Sequence, residues 1–330
     1  MTQFALTLAS GSNPVDHVVN VAGRTGDLFG LHDVWVWSAH VGTLLLAGLL
    51  TILVLMFAAS RIATGPASLG TRRFLAGNPL ASMIEVICVY LRENTVRPLL
   101  GSRTDRFMPF LWTMFFFILI NNLLGLLPIG DIMHVADKAT GQHGAFSGFI
   151  GATATQNIFV TAALAIIAAL VINIAGIREL GVGGYLGHLT AGTKFPISLL
   201  LVPIEIIGTI VKPVALALRL FANMTAGHIL VAVLFMFAVM GLKALVGEHV
   251  ISTAGVDKIA YDPSLGGVIL GGLITLVSAI AAVAIYFLEL FVAFLQAFVF
   301  MFLTTVFISQ LSHHGEHEHH EGHDHEHAHA

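Results

Sequence analysis

An all-α integral membrane protein of five to six hydrophobic helices is the fold class this sequence predicts, and three observations predict it. Of its 330 residues, 56% are hydrophobic and only 10% charged, against roughly 25% charged in soluble domains. Apolar runs recur at lengths suited to a hydrocarbon core about 30 Å thick, which takes roughly 20 helical residues to cross. The few ionisable residues inside those runs keep a regular spacing.

The chain opens on MTQFALTLASGSN, which has neither a basic leader nor a long apolar stretch, so no cleaved signal peptide is expected and residues 1–37 read as an extracytoplasmic segment. A membrane domain follows over 38–311, with single spans at about 39–60, 107–128 and 157–177. Two further apolar stretches, 195–243 and 266–311, are too long for one perpendicular crossing. About 45 residues at about 1.5 Å each would reach roughly 70 Å, so these helices must tilt, bend or break. Pro203 and Pro213 offer bending points in the first, and the polar stretch 244–265 reads as a loop in water. Together the pair forms a long tilted helical hairpin. Between the first two spans, Asn78 and Pro79 supply an N-cap and a first-turn signal, and Leu80, Met83, Ile84, Ile87 and Leu91 recur at helical spacing. That places a half-buried or interfacial helix at about 78–97, whose Glu85, Arg92, Glu93 and Arg97 form a solvated face.

Orientation follows from the basic residues. Arg61, Arg72, Arg73, Arg92, Arg97, Arg103, Arg106, Arg178 and Lys194 share one side, against Arg24, Lys138, Lys243 and Lys258 on the other. The richer side is expected to be cytoplasmic, with the N-terminus outside and the C-terminus inside. The net charge of -4 reflects acids in the last residues and says nothing about partners. Cys88 is the single cysteine, so neither an intrachain disulfide nor a thiolate metal cluster is available.

Glu205, Lys212, Arg219, His228 and Glu289 interrupt the two long apolar stretches. Each ionisable group near a bilayer centre costs at least about 2.5–3.5 kcal/mol, so each is a candidate for function. Glu205, Lys212 and Arg219 are seven apart and Asn223 follows by four, which lines them along one stripe of a helix. His228 lies nine beyond Arg219, half a turn around the helix, and so addresses a different neighbour. Glu289 and Gln296 are seven apart on the second helix. If the helices run antiparallel with Arg219 level with Gln296, His228 and Glu289 match to within about 3 Å in depth. Such a pair can exchange protons, because an imidazole of pKa about 6.5 beside a carboxylate takes and releases them near neutrality; the bland reading is a static buried ion pair. Arg219 cannot titrate at physiological pH. Its role must be electrostatic, and since Glu289 is matched with His228 and Glu205 is four turns away, the carboxylate it addresses belongs to another subunit.

KPVALALRLFANMTAGH (212–228) and FLELFVAFLQAFVFMFLTTVFIS (287–309), with NNLLGLLPIGD (121–131) and the order of spans, resemble subunit a of the F-type ATP synthase over roughly residues 38–311. The resemblance implies a proton-translocating stator subunit that lies against a ring of c subunits, each bearing a membrane carboxylate, with two offset aqueous half-channels. It implies no bond chemistry in this chain alone, no cofactor and no metal. Arg219 matches the family's essential arginine, and Asn223 and Gln296 match polar residues beside it. Glu205 matches an acid of the cytoplasm-facing path, and positions 228 and 289 match the opposite half-channel. Many relatives carry Glu first and His second, whereas here the order is His228 and Glu289; the pair is exchanged and one base and one acid remain. Gly125 and Gly130 stand where bacterial relatives are often acidic. Implied partners are the c-ring through the Arg219 face, the stator subunit b, the rest of the synthase and the lipid bilayer of a bacterial inner membrane, with no nucleic acid.

The tail SHHGEHEHHEGHDHEHAHA (312–330) holds nine histidines among acids and reads as a disordered solvated tail that binds divalent metals weakly. A zinc titration of a tail peptide showing no binding would remove the metal-buffering reading. HEHAH (325–329) fits a zinc-protease pattern, but that motif needs a rigid helix. NMT (223–225) fits the glycosylation pattern inside a membrane helix. A metal-ion transporter would need His, Asp or Glu clustered within spans, and His228 and Glu289 alone qualify. An intramembrane hydrolase would need a nucleophile and base on a span, and the sequence has none.

Overall fold

The computed structural model describes the backbone of residues 22–28, 31–61, 78–127, 154–189, 197–253, 256–262 and 264–321, with single positions between 129 and 140. Side chains at 22–37, 185–201, 205, 248–261 and 311–321 are among those outside the description. Among the described residues, six long helices carry the fold: α1 (Ala39–Arg61), α2 (Pro79–Tyr90), α3 (Thr104–Leu126), α4 (Ile158–Leu189), α5 (Ile197–Val246) and α6 (Leu265–Glu321). Among the described residues, five segments are long and apolar enough to cross a membrane: Ala39–Arg61, Pro79–Leu126, Ile158–Arg178, Val202–Val246 and Leu265–Gln310. The membrane part is all-helical, as its hydropathy requires, because a helix satisfies every backbone polar group within the segment.

Among the described residues, two antiparallel hairpins lie outside the spans, β1 (Ala22–Leu28) with β2 (Leu31–Ser38), and β3 (Glu248–Thr253) with β4 (Val256–Tyr261). The second occupies most of the stretch read as a loop at 244–265. Val250, Ile251, Thr253, Val256 and Ile259 are β-branched, and Thr253 pairs with Val256, leaving the two-residue connection that tight hairpins use. Gly247, at φ +68°, ends α5 as glycine does at a helix C-terminus. Its carbonyl accepts the Asp262 N–H at 3.0 Å and closes the hairpin base.

α2 starts as its residues dictate: Asn78 Oδ1 accepts the Leu80 N–H at 3.0 Å and Pro79 takes the first turn. It continues through a π-helical turn, Leu91–Val96, and one α-turn, Arg97–Leu100, then reverses at Gly101, whose φ is +55°. The Trp112 Nε1–H donates to the Cys88 carbonyl at 3.2 Å, so α2 runs back alongside α3. The reading of its buried face needs correction. Ile84 and Leu91 are buried, whereas Leu80 and Met83 are exposed together with Val86, Val89 and Tyr90, and Ala81 takes the inner position instead. The charged residues pair among themselves: Arg92 reaches Asp105 at 2.7 Å, and Glu93 is held by Arg92 at 2.7 Å and Arg97 at 2.6 Å.

α4 departs from helical geometry at Gly181. α5 instead runs helically through both Pro203 and Pro213 without a break. The backbone of α6 is helical as far as Glu321, beyond the expected end at 311; the tail side chains and residues 322–330 lie outside the described residues.

The chain divides into two compact units. The second gathers Leu45–Asn121, Ile158–Leu220 and α6 from Leu295. Its core joins Leu91, Phe107, Leu111, Phe115 and Ile118 to Leu216 and Leu220 of α5 and to Phe300, Met301 and Ile308 of α6. In lipid such packing is favoured by van der Waals contact and not by escape from water. The Ser309 hydroxyl donates to the Leu99 carbonyl at 2.8 Å, one of the acceptors that a helix end leaves open. The first unit gathers the start of α1 to Leu44, Asn122–Asn157 and Phe221–Phe294. There α5 and α6 approach closely enough that a Cβ on Gly271 would stand 2.5 Å from the Gly241 carbonyl oxygen and the Leu245 nitrogen. Thr275 Oγ1 donates across to the Ala238 carbonyl at 3.2 Å. Small residues at a membrane helix crossing allow this approach.

Candidate functional site

The antiparallel register expected for the long hairpin is tested by its contacts within the first unit. There Gly227 stands against Glu289, Gly241 against Thr275 and Leu245 against Gly271; each C-terminal step along α5 is matched by an equal step back along α6. In the first unit the register set out from spacing therefore holds to within a residue. It levels Glu289 with Gly227, the immediate neighbour of His228. The Glu289 carboxylate lies against the Gly227 backbone, so close that a Cβ on Gly227 would come 3.0 Å from Cδ. Glu289 is buried, 8% exposed, and His228 is half-buried. A residue without a Cβ at 227 is what makes room for the carboxylate.

In the second unit Lys212 Nζ sits 5.2 Å from the Phe307 ring centroid, a cation–π contact that stabilises an ammonium within an apolar stretch. Leu216 and Leu220 turn into the core, and Arg219, on the other side of α5, is exposed along with Val211, Val214 and Leu218. Asn223, one turn on, is also exposed. Arg219 and Asn223 thus share the outward stripe that their spacing of four implies. On α6, Glu289 and Gln296 both belong to the buried face, which also carries Ala293, Ala297 and Phe300. The stripe of seven on that helix points inward. Glu205 lies on the α5 backbone, but its side chain falls outside the described residues.

The sequence reading missed three features. Asn122, fully buried, donates from Nδ2 to the Ala293 carbonyl at 3.4 Å and accepts the Thr155 hydroxyl on Oδ1 at 3.1 Å, tying the end of α3 to α6 one turn from Glu289. Its signal was available, since an asparagine within a span needs a partner. Gly227 gave none, because glycines are common in membrane helices. His40, 2% exposed, is the third. Its place at the edge of a span gave no signal, because interfacial histidines are ordinary.

An ATP synthase A chain family model matches residues 41–309, most of the chain. Among similar proteins, ATP synthase subunit a 2 of Chlorobaculum tepidum is 34% identical over 279 residues, covering 84% of this chain and 64% of the relative. ATP synthase subunit a of Chloroherpeton thalassium is 37% identical over 238 residues, or 72% and 57% of the two chains. The corresponding protein of Anaeromyxobacter dehalogenans is 35% identical over 270 residues, or 80% and 58%. The chain thus spans about three fifths of the length of these relatives. The matched region contains Arg219, Asn223, His228, Glu289 and Gln296 within the two long helices just described, and the chain belongs to the ATP synthase A chain family.

Proposed function

We propose that this chain is the proton-translocating stator subunit a of an F-type ATP synthase, working against a ring of c subunits and beside subunit b. The observation that carries this reading is the division of charge on the long hairpin. Arg219 is a cation exposed on the outer face of an apolar helix, while Glu289 is a carboxylate buried on an inner face. A cation facing outward at membrane depth calls for a partner that bears the opposite charge. At 4 Å and an effective dielectric near 20 it attracts a carboxylate by about 4 kcal/mol, against about 1 kcal/mol in water. Each ring carboxylate that reaches Arg219 is therefore held ionised and gives up its proton.

Because Arg219 holds its charge at every physiological pH, it also bars a hydronium from passing directly between the two half-channels. His228 and Glu289 serve one half-channel, and Glu205 serves the cytoplasmic one. Asn223 and Gln296 supply neutral hydrogen-bonding groups along the faces they occupy. The chain performs no bond chemistry; nucleotide chemistry belongs to other subunits of the complex. The excess of basic residues on one side supports an orientation with the N-terminus outside and the C-terminus in the cytoplasm of a bacterial inner membrane. A metal-transporter reading would need ligands gathered within the spans, and among the described residues no group of three His, Cys, Asp or Glu is gathered.

The test is ATP-driven acidification of inverted membrane vesicles, comparing the native complex with Arg219→Ala after assembly has been verified. Loss of pumping in the assembled variant is the expected result. Pumping at the native rate would overturn the reading.

A further inference from the structure

Glu289 is seated on α6 against a residue that gives it room but no hold. On α5 the missing side chain of Gly227 leaves the space, a Cβ there coming 3.0 Å from the carboxyl carbon. Space alone does not set depth. A slide of α6 by one residue moves it about 1.5 Å along its axis and turns it about 100°, which carries the carboxylate out of that notch. A hydrogen bond to one carbonyl selects a single register, because it is directional.

α3 supplies that bond. Asn122, fully buried, donates from Nδ2 to the carbonyl of the equally buried Ala293 at 3.4 Å. Ala293 stands one turn after Glu289, and within a helix its N–H donates to the Glu289 carbonyl, so the turn that carries the acid is the turn that Asn122 holds. The amide has one usable orientation. A carbonyl oxygen only accepts, so the NH2 group must face Ala293; Oδ1 then faces the Thr155 hydroxyl, which has to donate, as it does at 3.1 Å. Thr155 is fully buried in a short 3-10 turn, Ala154–Gln156, which the Asn157 N–H closes on the Ala154 carbonyl at 3.1 Å. The hydroxyl is thus placed by its backbone, the amide by the hydroxyl and α6 by the amide. All of these groups, with Gly227 and Glu289, belong to the first compact unit. The titratable neighbours of this seat are His228, next to Gly227 on α5, and Tyr286, one turn before Glu289 on α6; the end of α3 from Asn122 to Leu126 and the turn Ala154–Gln156 bring neutral side chains.

We propose that Thr155 and Asn122 are positioning residues of the proton path, a hydroxyl–amide–carbonyl brace that fixes the depth and rotation of α6 and so keeps the Glu289 carboxylate in the Gly227 notch. This rests on the proton-translocating reading above. Neither residue carries a proton: the amide does not titrate at physiological pH, and the Thr155 hydroxyl hydrogen is committed to Oδ1. The brace works as a unit. Removing the hydroxyl leaves Oδ1 buried without its donor, so the amide turns to seek another and its hold on Ala293 is lost with it.

The experiment measures ATP-driven acidification of inverted vesicles as a function of pH, after assembly has been verified, for the native complex, Thr155→Val, Thr155→Ser and Asn122→Leu. Valine keeps the shape of threonine without the hydroxyl, and serine keeps the hydroxyl without the methyl group, so packing and hydrogen bonding predict opposite rankings. The expected result is a fall of about fivefold in Thr155→Val, the equivalent of one net hydrogen bond. Asn122→Leu should fall at least as far, and Thr155→Ser should pump at a near-native rate. The double variant Thr155→Val/Asn122→Leu should be no slower than Asn122→Leu, since both changes break one brace. In Thr155→Val the pH profile should also shift by about half a unit or more, because a displaced carboxylate changes its surroundings. Ser309→Ala, which gives up a buried hydroxyl donor in the other unit, should leave the profile where it is. Native pumping in Thr155→Val would overturn the brace, as would Thr155→Ser being as slow as Thr155→Val, or a loss of rate with no shift of the profile. Arg219→Ala separates the two readings. If it abolishes pumping while Thr155→Val pumps normally, the brace alone falls; if it pumps at the native rate, the underlying reading falls and the brace with it.

Discussion

Gly227 shows how little of a membrane site needs to be charged. Its missing side chain is the space in which the Glu289 carboxylate sits, so even a methyl group there must displace the acid or spread the helices. Gly227→Ala is expected to lower ATP-driven pumping in inverted vesicles at least tenfold while the complex still assembles. A native pumping rate would mean that the carboxylate has another resting place. Ser309→Ala leaves the Leu99 carbonyl without its 2.8 Å donor and should cost about 1 kcal/mol, read as a lower thermal midpoint in detergent. At this scale the sequence was legible where chemistry is costly. Arg219, His228 and Glu289 stand out because a charge in an apolar run is anomalous in itself, and spacing alone assigned Arg219 and Asn223 to one stripe and Glu289 and Gln296 to another. Gly227 and His40 were illegible for the opposite reason: a glycine in a span and a histidine at its edge are both ordinary until their neighbours are known.

For the elements, register was the strongest inference available, because two long helices that run antiparallel have one alignment that levels Glu289 with the neighbourhood of His228. The crossing at Gly241 and Gly271 fixes that alignment sterically. Gly271→Leu should destabilise the chain by about 1–3 kcal/mol, the usual cost of forcing extra methylenes into a packed contact, seen as earlier thermal unfolding in detergent. Unchanged unfolding would show that the crossing tolerates separation. Asn78→Ala removes the cap of α2 and is expected to cost about 1 kcal/mol by the same measurement. Pro203 and Pro213 looked like bending points, yet α5 passes through both; within a bilayer, neighbouring helices and side chains can re-satisfy the carbonyls that a proline frees. The β3–β4 hairpin was hidden by its polarity, and neither Glu248–Thr253 nor Val256–Tyr261 has the period-two alternation that would mark a strand.

The whole molecule presents large apolar side chains outward along α1, α2, α5 and α6, as a protein solvated by lipid must. Its orientation is open to a direct test through its cysteine content. With Cys88 replaced by serine, single cysteines introduced near residue 20 and near residue 320 should react with a membrane-impermeant thiol reagent only from outside and only from the cytoplasm, respectively. The opposite labelling would invert the topology read from the basic residues. Hydropathy made the number of spans legible, but not the fold-back of α2 on α3, which depends on the positive φ of Gly101 and the Trp112 to Cys88 contact, neither of which leaves a periodic signature.

On the proposed reading, the exposed guanidinium of Arg219 has a consequence for the life of the chain before it meets a partner. Alone in a bilayer, α5 would present that charge to acyl chains, and the membrane would thin and draw in headgroups and solvent to meet it. An orphan copy is therefore a defect in the barrier it is meant to serve, and a cell gains by degrading it or by inserting it last. Produced without the other subunits, the native chain should turn over faster in a pulse-chase experiment than the Arg219→Leu variant, which offers lipid nothing to reorganise around. Equal lifetimes would mean that the bilayer tolerates the charge unaided.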